Sequence, residues 1–480
     1  MKQDKYLIGI DSGTTGTKVI LFNTIGDIID YYYQSYPLQI HNTDVVEQKP
    51  ADWWTALVKG VRFVTRNVNK NNIIALSIST QGGTIIPLDK NNRLLSPAIV
   101  WLDTNSKKEA GQLIKKFGQD YFFKRTGHKI ESSSVLPKII KWKTTNSFYK
   151  KIKRIVQVND YLMYCLTGNF ISDPSNAAMS LMFNINTKNW DTELLSEFDI
   201  DNNVLSPIKP SGTVVGNLTT KTQIELGLNR NVLVINGCHD QYSAALGAGV
   251  IKNGDCLLSC GTAWVILCPT VNKIFEPTMK ISTGVCATDN LYGLMAAMSN
   301  GNIVFDWVRN ITGIINRTLE NGQFDKNIFE KVKTQNDLIF VPHFVEGKGM
   351  FTGLNLFTDK YDILLSVMEG LVYETKCMIE ILNNICVKPK KIVMIGGAAK
   401  SKVWHKIVAD ILQKNIVILK SPEAACRGAA MIAGLGCNIF KSSKEACDIM
   451  VKTDKLIKPD TNNDRYQKKF NEYKQLKKFY

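Results

Sequence analysis

The sequence predicts an α/β protein with two related domains. Strand-like segments alternate with amphipathic helical segments along most of the 480 residues, which is typical of α/β architecture. A strand, a Gly-Thr turn and a second strand occur near residue 13 and again near residue 261. This repeat predicts two similar halves. A cluster of glycines at 247–254 indicates the boundary, so we expect domains at residues 1–247 and 248–480.

The composition is that of a globular chain. Apolar residues make up 44% and charged residues 21%, which supplies a large core and excludes disorder, collagen and coiled coil as descriptions of the whole chain. No apolar run reaches the roughly 18 residues that a membrane-spanning helix needs. The eleven cysteines are scattered and include no C-x-x-C pair, which favours a reducing compartment. We therefore expect a cytoplasmic protein without a membrane partner.

The chain is basic, with a formal net charge of +16, but its lysines and arginines are spread along it. This distribution does not predict nucleic-acid binding. The one dense basic stretch, residues 467–480, carries or adjoins aromatic residues at helical spacing: Tyr466, Phe470, Tyr473 and Phe479 or Tyr480. We interpret it as a terminal helix docked by its aromatic stripe. The alternative is a basic arm for an anionic partner.

The first turn of the chain has the chemistry of a phosphate site. It joins strands predicted at 6–10 and 19–22, and residues 11–18 read Asp-Ser-Gly-Thr-Thr-Gly-Thr-Lys. Glycines let backbone N–H groups approach an anion, hydroxyl groups donate hydrogen bonds, and an aspartate can hold Mg²⁺ directly or through water. The spacing is not that of a Walker A loop. A hairpin turn that needs glycine for positive φ is the alternative.

Two later turns have related chemistry. Gly261-Thr262 lies between two strands in the second half of the chain. Residues 396–401, Gly-Gly-Ala-Ala-Lys-Ser, connect a strand to a helix. Such a turn can seat a nucleotide against its backbone or simply close a βα connection. Three turns of this kind at strand ends favour nucleotide binding more than any one of them does.

Asp240 follows a strand that is predicted to be buried, at 232–235. A carboxylate there lies at the carboxyl edge of a sheet, where open α/β proteins bind ligands. It could accept a proton from a hydroxyl nucleophile. The alternative is an N-cap for the helix that starts near Gln241. We interpret His239 as a neighbour of Asp240 rather than as a catalyst.

These motifs, in this order and spacing, resemble the FGGY family of carbohydrate kinases over about residues 5–437. The resemblance implies two actin-like (ribonuclease H-like) domains with a nucleotide cleft between them. Lesser matches to the family lie at residues 45–54, 97–103 and 160–168.

The resemblance also implies the reaction, an ATP- and Mg²⁺-dependent phosphorylation of a sugar hydroxyl. Asp240 would be the general base and Asp11 would organise Mg²⁺. The implied nucleotide-binding residues are Gly13, Thr14, Thr15, Lys18, Gly261, Thr262, Gly396, Gly397, Ala398, Lys400 and Ser401. The implied sugar-binding residues are Gln81, Gly82, Gly83, Trp101, Asp103, Asp240 and Gln241.

The chain departs from the family at two loops. Xylulokinases, the members closest in general pattern, carry Gln-Met-His-Gly where this chain has Gln81-Gly82-Gly83. Two side chains that would contact the sugar are thus missing, which leaves room for water or for a bulkier substrate. D-xylulose is our lead substrate, and another polyol, ketose or sugar acid, of the glycerol, gluconate or ribulose type, is the alternative. The second departure is a shortened loop at 346–349.

Two rival hypotheses are compatible with the sequence. One is an actin- or chaperone-like ATPase that transfers nothing to a sugar, and the other is a sugar sensor without turnover. Asp240-Gln241 at the sugar edge, and whether ATP consumption depends on added sugar, distinguish the ATPase from a kinase. The intact Asp11, Lys18 and Asp240 argue against the sensor. No G-x-G-x-x-G follows the first strand, which argues against a dinucleotide oxidoreductase. The expected partners are ATP and a small sugar or polyol, without nucleic acid; a homodimer is left open.

Overall fold

The computed structural model describes residues 5–145, 147–298, 300–314, 322–334, 337–343, 347, 349–460 and 464–478. The chain forms two compact units, each assembled from separated segments. Unit 1 comprises Met1–Ile251, Thr270–Leu294 and Glu423–Val451, and unit 2 comprises Lys252–Pro269, Met295–Pro422 and Lys452–Tyr480. The domain boundary that we expect between residues 247 and 248 stays a prediction. The predicted short loop at 346–349 lies mostly outside the described residues.

The strands are numbered in chain order. They are β1 (Tyr6–Ser12), β2 (Gly16–Asn23), β3 (Ile28–Ser35), β4 (Gln39–Ile40), β5 (Val46–Gln48), β6 (Ile73–Thr80), β7 (Ile85–Leu88), β8 (Ala98–Ile99), β9 (Arg154–Gln157), β10 (Phe183–Asn184), β11 (Asn189–Trp190), β12 (Val214–Asn217), β13 (Leu233–His239), β14 (Asp255–Cys260), β15 (Trp264–Thr270), β16 (Ser282–Val285), β17 (Tyr292–Met298), β18 (Ile339–Val341), β19 (Met350–Thr352), β20 (Lys391–Gly396), β21 (Asn415–Leu419) and β22 (Thr453–Ile457).

The helices of the described residues are numbered in the same way. They are α1 (Pro50–Val64), α2 (Lys107–Phe117), α3 (Gln119–Thr126), α4 (Val135–Thr145), α5 (Val158–Thr167), α6 (Pro174–Ala178), α7 (Thr192–Glu197), α8 (Thr220–Leu226), α9 (Asp240–Gly247), α10 (Asn302–Ile311), α11 (Gln323–Thr334), α12 (Lys360–Asn384), α13 (Lys402–Leu412), α14 (Ala424–Gly436), α15 (Ser443–Met450) and α16 (Asp464–Lys477).

The main sheet of unit 1 has the strand order β12-β13-β6-β1-β2-β3. β1 and β2 form an antiparallel hairpin, while β6 runs parallel to both β1 and β13. β1 and β6 are almost continuously buried, and most of their residues are apolar, as expected for central strands that are covered on both faces. A five-stranded sheet, β4-β5-β8-β7-β9, includes β8, which lies within residues 97–103.

Helices α9 and α14 cross at very close range inside unit 1, and two glycines permit this approach. A β-carbon on Gly247 would overlap the carbonyl oxygen of Ala424, and one on Gly428 would overlap the carbonyl oxygen of Ser243. The crossing fixes α9, and Asp240 is the first residue of that helix. The position of Asp240 therefore depends on a helix that begins more than 180 residues later in the chain.

Unit 2 repeats the strand pattern of unit 1. β14 and β15 form an antiparallel hairpin, and β20 runs parallel to β14 and to β21. The order β17-β15-β14-β20-β21-β22 matches β3-β2-β1-β6-β13-β12 of unit 1, including an antiparallel final strand in each. The predicted half-chain repeat and the two-domain α/β fold are confirmed.

The C-terminal helix α16 docks through its aromatic stripe, as predicted. Tyr466, Phe470 and Tyr473 are buried, and the rings of Phe470 and Tyr473 pack against Tyr373 of α12. Lysines of α16 form ion pairs with glutamates of α12, one of them the buried pair Lys469–Glu369. Phe479 and Tyr480 lie outside the described residues.

Candidate active site

Three neighbouring strands of unit 1 end at one edge of the sheet. In the register of the parallel strands, Thr80 of β6 pairs with Ser12 of β1 and with His239 of β13. The Gly-Thr turn after β1, the Gln81-Gly82-Gly83 turn after β6 and Asp240 after β13 consequently leave the sheet together. The carboxyl edge of parallel strands is where α/β proteins place their ligands. The residues predicted for phosphate, sugar and proton transfer in unit 1 are thus brought together.

Asp11 and Asp240 form a pair of interacting carboxyl groups at this edge. Asp11 accepts a hydrogen bond of 2.9 Å from the Ser79 hydroxyl. Burial and the charge of Asp240 raise the pKa of Asp11 to about 7, against the opposing effects of Ser79 and Lys18. Burial also raises the pKa of Asp240 to about 6. A positive ion held by Asp11 would lower the pKa of Asp11, because it favours the ionised form of that carboxyl group.

Asp240 is well suited to accept a proton. The sequence left a base and an N-cap as alternatives, and in the structure the helix α9 begins at Asp240 itself, with His239 at the N-cap position. The carboxyl group keeps 27% of its side-chain surface exposed. A pKa near 6 leaves it ionised at neutral pH and still basic enough for proton transfer.

Two polar atoms beside Asp240 lack hydrogen-bond partners among the described residues. They are Nδ1 of His239 and Oε1 of Gln241, and both atoms are buried. Buried polar atoms are nearly always paired with protein groups or with water. Unpaired atoms of this kind on both sides of a candidate base indicate a polar ligand site.

Lys18 lies opposite Asp11 in the β1–β2 hairpin. Its ammonium group forms an ion pair with Glu423, the residue before α14. Burial lowers the pKa of Lys18, but Glu423, Cys426 and Asp11 outweigh that effect and raise its pKa overall. Lys18 is therefore charged over the whole physiological pH range and is held by Glu423.

The hydroxyl hydrogen of Thr14 is already used in a hydrogen bond within the protein. The hydroxyl group donates to Oε1 of Gln81 at 3.3 Å and accepts from Nε1 of Trp101 at 2.8 Å. Gln48 donates to the carbonyl oxygen of Thr14 and accepts from Nε2 of Gln81. Thr15, the next residue, is exposed. An anion at this turn would consequently contact the hydroxyl of Thr15 and backbone N–H groups, while Thr14, Gln81 and Trp101 fix the shape of the turn.

Asp103 holds the loop that follows β8. Its carboxylate accepts hydrogen bonds from the backbone N–H groups of Val46 and Asn105, at 3.0 and 3.1 Å. Lys138, which is buried, donates to the carbonyl oxygen of Val100 in the same loop at 2.8 Å. Burial lowers the pKa of Lys138 to about 7. These contacts make Asp103 part of the frame around Trp101.

In unit 2, the two remaining turns leave neighbouring strands. Cys260 of β14 pairs with Gly396 of β20 in parallel register, so Gly261-Thr262 and Gly397–Lys400 share one sheet edge. Asn302 at the start of α10 donates to the Cys260 carbonyl oxygen at 3.0 Å. The Ser401 hydroxyl donates to Asp325 at 2.8 Å. Asp325 also accepts from backbone N–H groups at the start of α13, so that helix end is already paired with a carboxylate.

The sequence did not predict the contacts that three residues make at the site. Glu423 lies far from Lys18 in the sequence, and its only local signal is an acidic residue before a helix rich in small residues. Gln48 lies in a segment that was matched to the family, but nothing in its spacing indicates that it contacts Gln81. His239 was taken as a neighbour only, although it directly precedes the candidate base.

The described residues contain no cluster of three or more His, Cys, Asp and Glu side chains that could hold a metal ion by themselves. Mg²⁺ in phosphoryl transfer is usually bound by one or two carboxylates together with substrate phosphates and water. The carboxylate of Asp11 fits that donor set. Among the helices that the structure describes, none has the length and hydropathy needed to cross a membrane.

Comparison with known families agrees with this geometry. The model of the N-terminal domain of the FGGY family of carbohydrate kinases matches residues 6–247, and the model of its C-terminal domain matches residues 256–437. The protein is thus a carbohydrate kinase, an enzyme that uses ATP as phosphoryl donor. More particularly, this chain belongs to the FGGY family of carbohydrate kinases.

Alignments with individual relatives cover most of this chain. A xylulose kinase from Staphylococcus xylosus is 28% identical, with 98% of this chain and 99% of the relative covered. A gluconokinase from Bacillus subtilis is 26% identical, with 89% and 86% covered. Among solved structures, a xylulose kinase from Lactobacillus acidophilus has a TM-score of 0.91 at 24% identity, with 99% and 98% covered. The structural similarity supports the two-domain α/β fold.

Proposed function

We propose that this chain transfers the γ-phosphoryl group of ATP to a hydroxyl group of a small ketose, with D-xylulose as the lead substrate. One observation carries the proposal: Asp240 and the Gly-Thr turn after β1 leave the unit 1 sheet at the same carboxyl edge. Burial there raises the pKa of Asp240 to about 6. The full-length similarity to a xylulose kinase supports the choice of sugar. Gluconate is the second candidate, because a gluconokinase is nearly as similar.

In the proposed reaction, Asp240 takes the proton from the sugar hydroxyl while that oxygen attacks the γ-phosphorus. The bond between the γ-phosphorus and the bridging oxygen breaks, and ADP leaves. Such a transfer depends mostly on positioning and charge neutralisation. Mg²⁺, held by Asp11 with the phosphates, would neutralise charge on the transferring group. This chain's own residues orient the sugar and hold the proton at the Asp240 carboxylate.

We assign the remaining roles along the chain in the same way. Residues 1–247 would carry the base and the sugar site, and residues 248–480 would carry most of the nucleotide site. Phosphates would contact Gly13, Thr15, Lys18, Gly261 and Thr262, with Thr14 shaping the turn. The adenosine would lie against Gly396, Gly397, Ala398, Lys400 and Ser401. Gln81, Gly82, Gly83, Trp101, Asp103 and Gln241 would form or frame the sugar site.

We also propose a cytoplasmic location. All eleven cysteines are free, which is typical of proteins in a reducing compartment. Fractionation of the native cells, with the activity recovered in the cytoplasmic fraction, tests this assignment.

The direct test of the function is ADP release across a panel of pentoses, polyols and sugar acids. We expect release to depend on added sugar, with the highest kcat/KM on D-xylulose. A preference for gluconate would move the assignment to the second candidate. Equal ADP release with and without every sugar would contradict a kinase and support an actin- or chaperone-like ATPase.

The activity should depend on pH through Asp240. Because only the ionised carboxylate accepts a proton, we expect kcat/KM for the sugar to be level above about pH 7 and to fall with a midpoint near pH 6. The measurement is kcat/KM at saturating ATP and Mg²⁺ from pH 5 to 8. A profile that stays level down to pH 5 would contradict the assignment of Asp240 as base.

Lys18→Met should raise the KM for ATP by roughly tenfold, because one charged contact to phosphate is lost. The change also removes the ion pair between Lys18 and Glu423, so the same substitution is made in a Glu423→Gln background. If Lys18 handles phosphate, the increase in KM persists in that background. If the role of Lys18 is only to pair with Glu423, the double variant has the same KM for ATP as Glu423→Gln.

A further inference from the structure

The turn after β6 has a gap on one side, and His239 fills it. A β-carbon on Gly82 would overlap Cδ2 of the His239 imidazole, and it would lie 2.9 Å from Nε2 of that ring and 3.0 Å from Cγ of Met179. Only a glycine at position 82 therefore leaves room for the ring. The two residues are sterically complementary, and the imidazole occupies space that a side chain at position 82 would otherwise take.

The ring of His239 is held firmly in this position. The backbone N–H of His239 donates to the Ser175 hydroxyl at 2.9 Å, and the ring packs edge-on against Tyr242 with centroids 5.7 Å apart. The side chain is only 7% exposed. An imidazole that is fixed by strand, helix start and aromatic neighbour has the pre-organisation that a specificity residue needs.

The polar atoms of the ring point to a ligand. Nε2 lies 3.4 Å from Oδ1 of Asp240, and Nδ1 is buried without a hydrogen-bond partner among the residues that the structure describes. Burial lowers the pKa of His239 to about 4, so the ring is neutral at neutral pH. A neutral imidazole has one donor and one acceptor nitrogen. A sugar hydroxyl, which both donates and accepts, can bind Nε2, the ring nitrogen that lies beside Asp240, in either tautomer of the ring.

We propose that His239 is a sugar-specificity residue, whose imidazole binds a second hydroxyl group of the substrate beside the one that Asp240 deprotonates. The His239 imidazole would make the sugar contact that side chains at positions 82 and 83 cannot make, because both residues are glycine. The inference rests on the proposed function and identifies the residue that sets the sugar preference of the site. The alternative is that the ring only fills space, in which case its removal affects every sugar equally.

Deoxy sugars separate these two roles. Each analogue in the series lacks one hydroxyl other than the one that is phosphorylated. In the wild type, loss of the hydroxyl that His239 binds should lower kcat/KM by about tenfold or more, because a buried polar atom is left unpaired. In His239→Ala, the complete sugar should lose about the same factor, mainly through KM, while that one analogue is nearly unaffected. His239→Asn should restore part of the discrimination, since an amide can donate and accept.

A control variant addresses the general effect of losing a histidine. His41 is exposed and pairs with Glu47 at the surface, so His41→Ala should leave the ratio between sugar and analogue unchanged. The proposal is overturned if His239→Ala lowers kcat/KM by the same factor on the complete sugar and on every analogue. If the wild type releases ADP without any dependence on sugar, the proposed function fails and this inference fails with it.

The steric complementarity of Gly82 and the His239 ring can be tested separately. Gly82→Ala should lower sugar kcat/KM on all substrates, because the new methyl group overlaps the imidazole. The double variant Gly82→Ala/His239→Ala should recover stability to heat relative to Gly82→Ala. The matched control is Gly111→Ala, since a β-carbon at Gly111 meets no atom within 4 Å. A double variant no more stable than Gly82→Ala would refute the complementarity on which the proposal is built.

Discussion

Replacement of Asp240 by asparagine should lower kcat by roughly 10² to 10⁴, because the sugar hydroxyl loses its proton acceptor. Asparagine has nearly the same shape and can occupy the same position at the start of α9. The affinity for nucleotide should change little. The measurement is steady-state ADP release with saturating sugar, together with nucleotide binding by calorimetry.

The same variant has a second expected effect. The charge of Asp240 contributes to the raised pKa of Asp11, so the pKa of Asp11 should fall in Asp240→Asn. Asp199→Asn serves as the control, since Asp199 is 92% exposed and pairs with Lys143. We expect that control to match the wild type. Near-normal turnover in Asp240→Asn would remove Asp240 from the mechanism.

Asp11→Asn should lower kcat/KM by roughly 10², because the carboxylate that organises the metal ion is lost and metal-ion charge stabilisation amounts to several kcal/mol. The variant should also be more stable than the wild type at neutral pH. Burial and Asp240 raise the pKa of Asp11 from 3.8 to about 7, and each pKa unit corresponds to about 1.4 kcal/mol. Asparagine avoids this cost and still offers an oxygen to the Ser79 hydroxyl.

The pH dependence of that gain follows from the sign of the shift. A carboxyl group whose pKa is raised on folding destabilises the fold as pH rises from its unfolded pKa to its folded pKa. The stability difference between Asp11→Asn and wild type should therefore be small at pH 4 and reach its full size, on the order of a few kcal/mol, above pH 7. Urea unfolding at several pH values measures it, with Asp448→Asn, an exposed surface pair, as control. A variant that is less stable than wild type at pH 8 would contradict this account of the site.

Local sequence patterns were sufficient for the architecture. The hairpin β1–β2, its counterpart β14–β15 and the strand ends at Asp240 and Gly396 each carry their own signal of apolar runs and glycine turns. The C-terminal helix was predicted from the spacing of Tyr466, Phe470 and Tyr473. These elements depend on neighbours in sequence, which is why a single chain reveals them.

Contacts between distant segments were not predictable in the same way. The ion pair of Lys18 with Glu423 joins residues that are 405 positions apart, and no local periodicity encodes it. The same holds for the amide of Gln81, whose hydrogen bonds to Gln48 and Thr14 join segments that are far apart in the sequence. The fit of His239 beside Gly82 also depends on two strand ends that become neighbours only in the folded sheet. Side-chain roles at the site therefore required the structure.

The most direct measurement is phosphorus NMR of the reaction mixture with ATP, Mg²⁺ and D-xylulose, run in parallel for the wild type and Asp240→Asn. We predict that the wild type forms a sugar phosphate in equal amount to ADP, with little free phosphate, and that Asp240→Asn forms it at a greatly reduced rate. Free phosphate as the main product of the wild type, with or without any sugar of the panel, would contradict transfer to a carbohydrate hydroxyl.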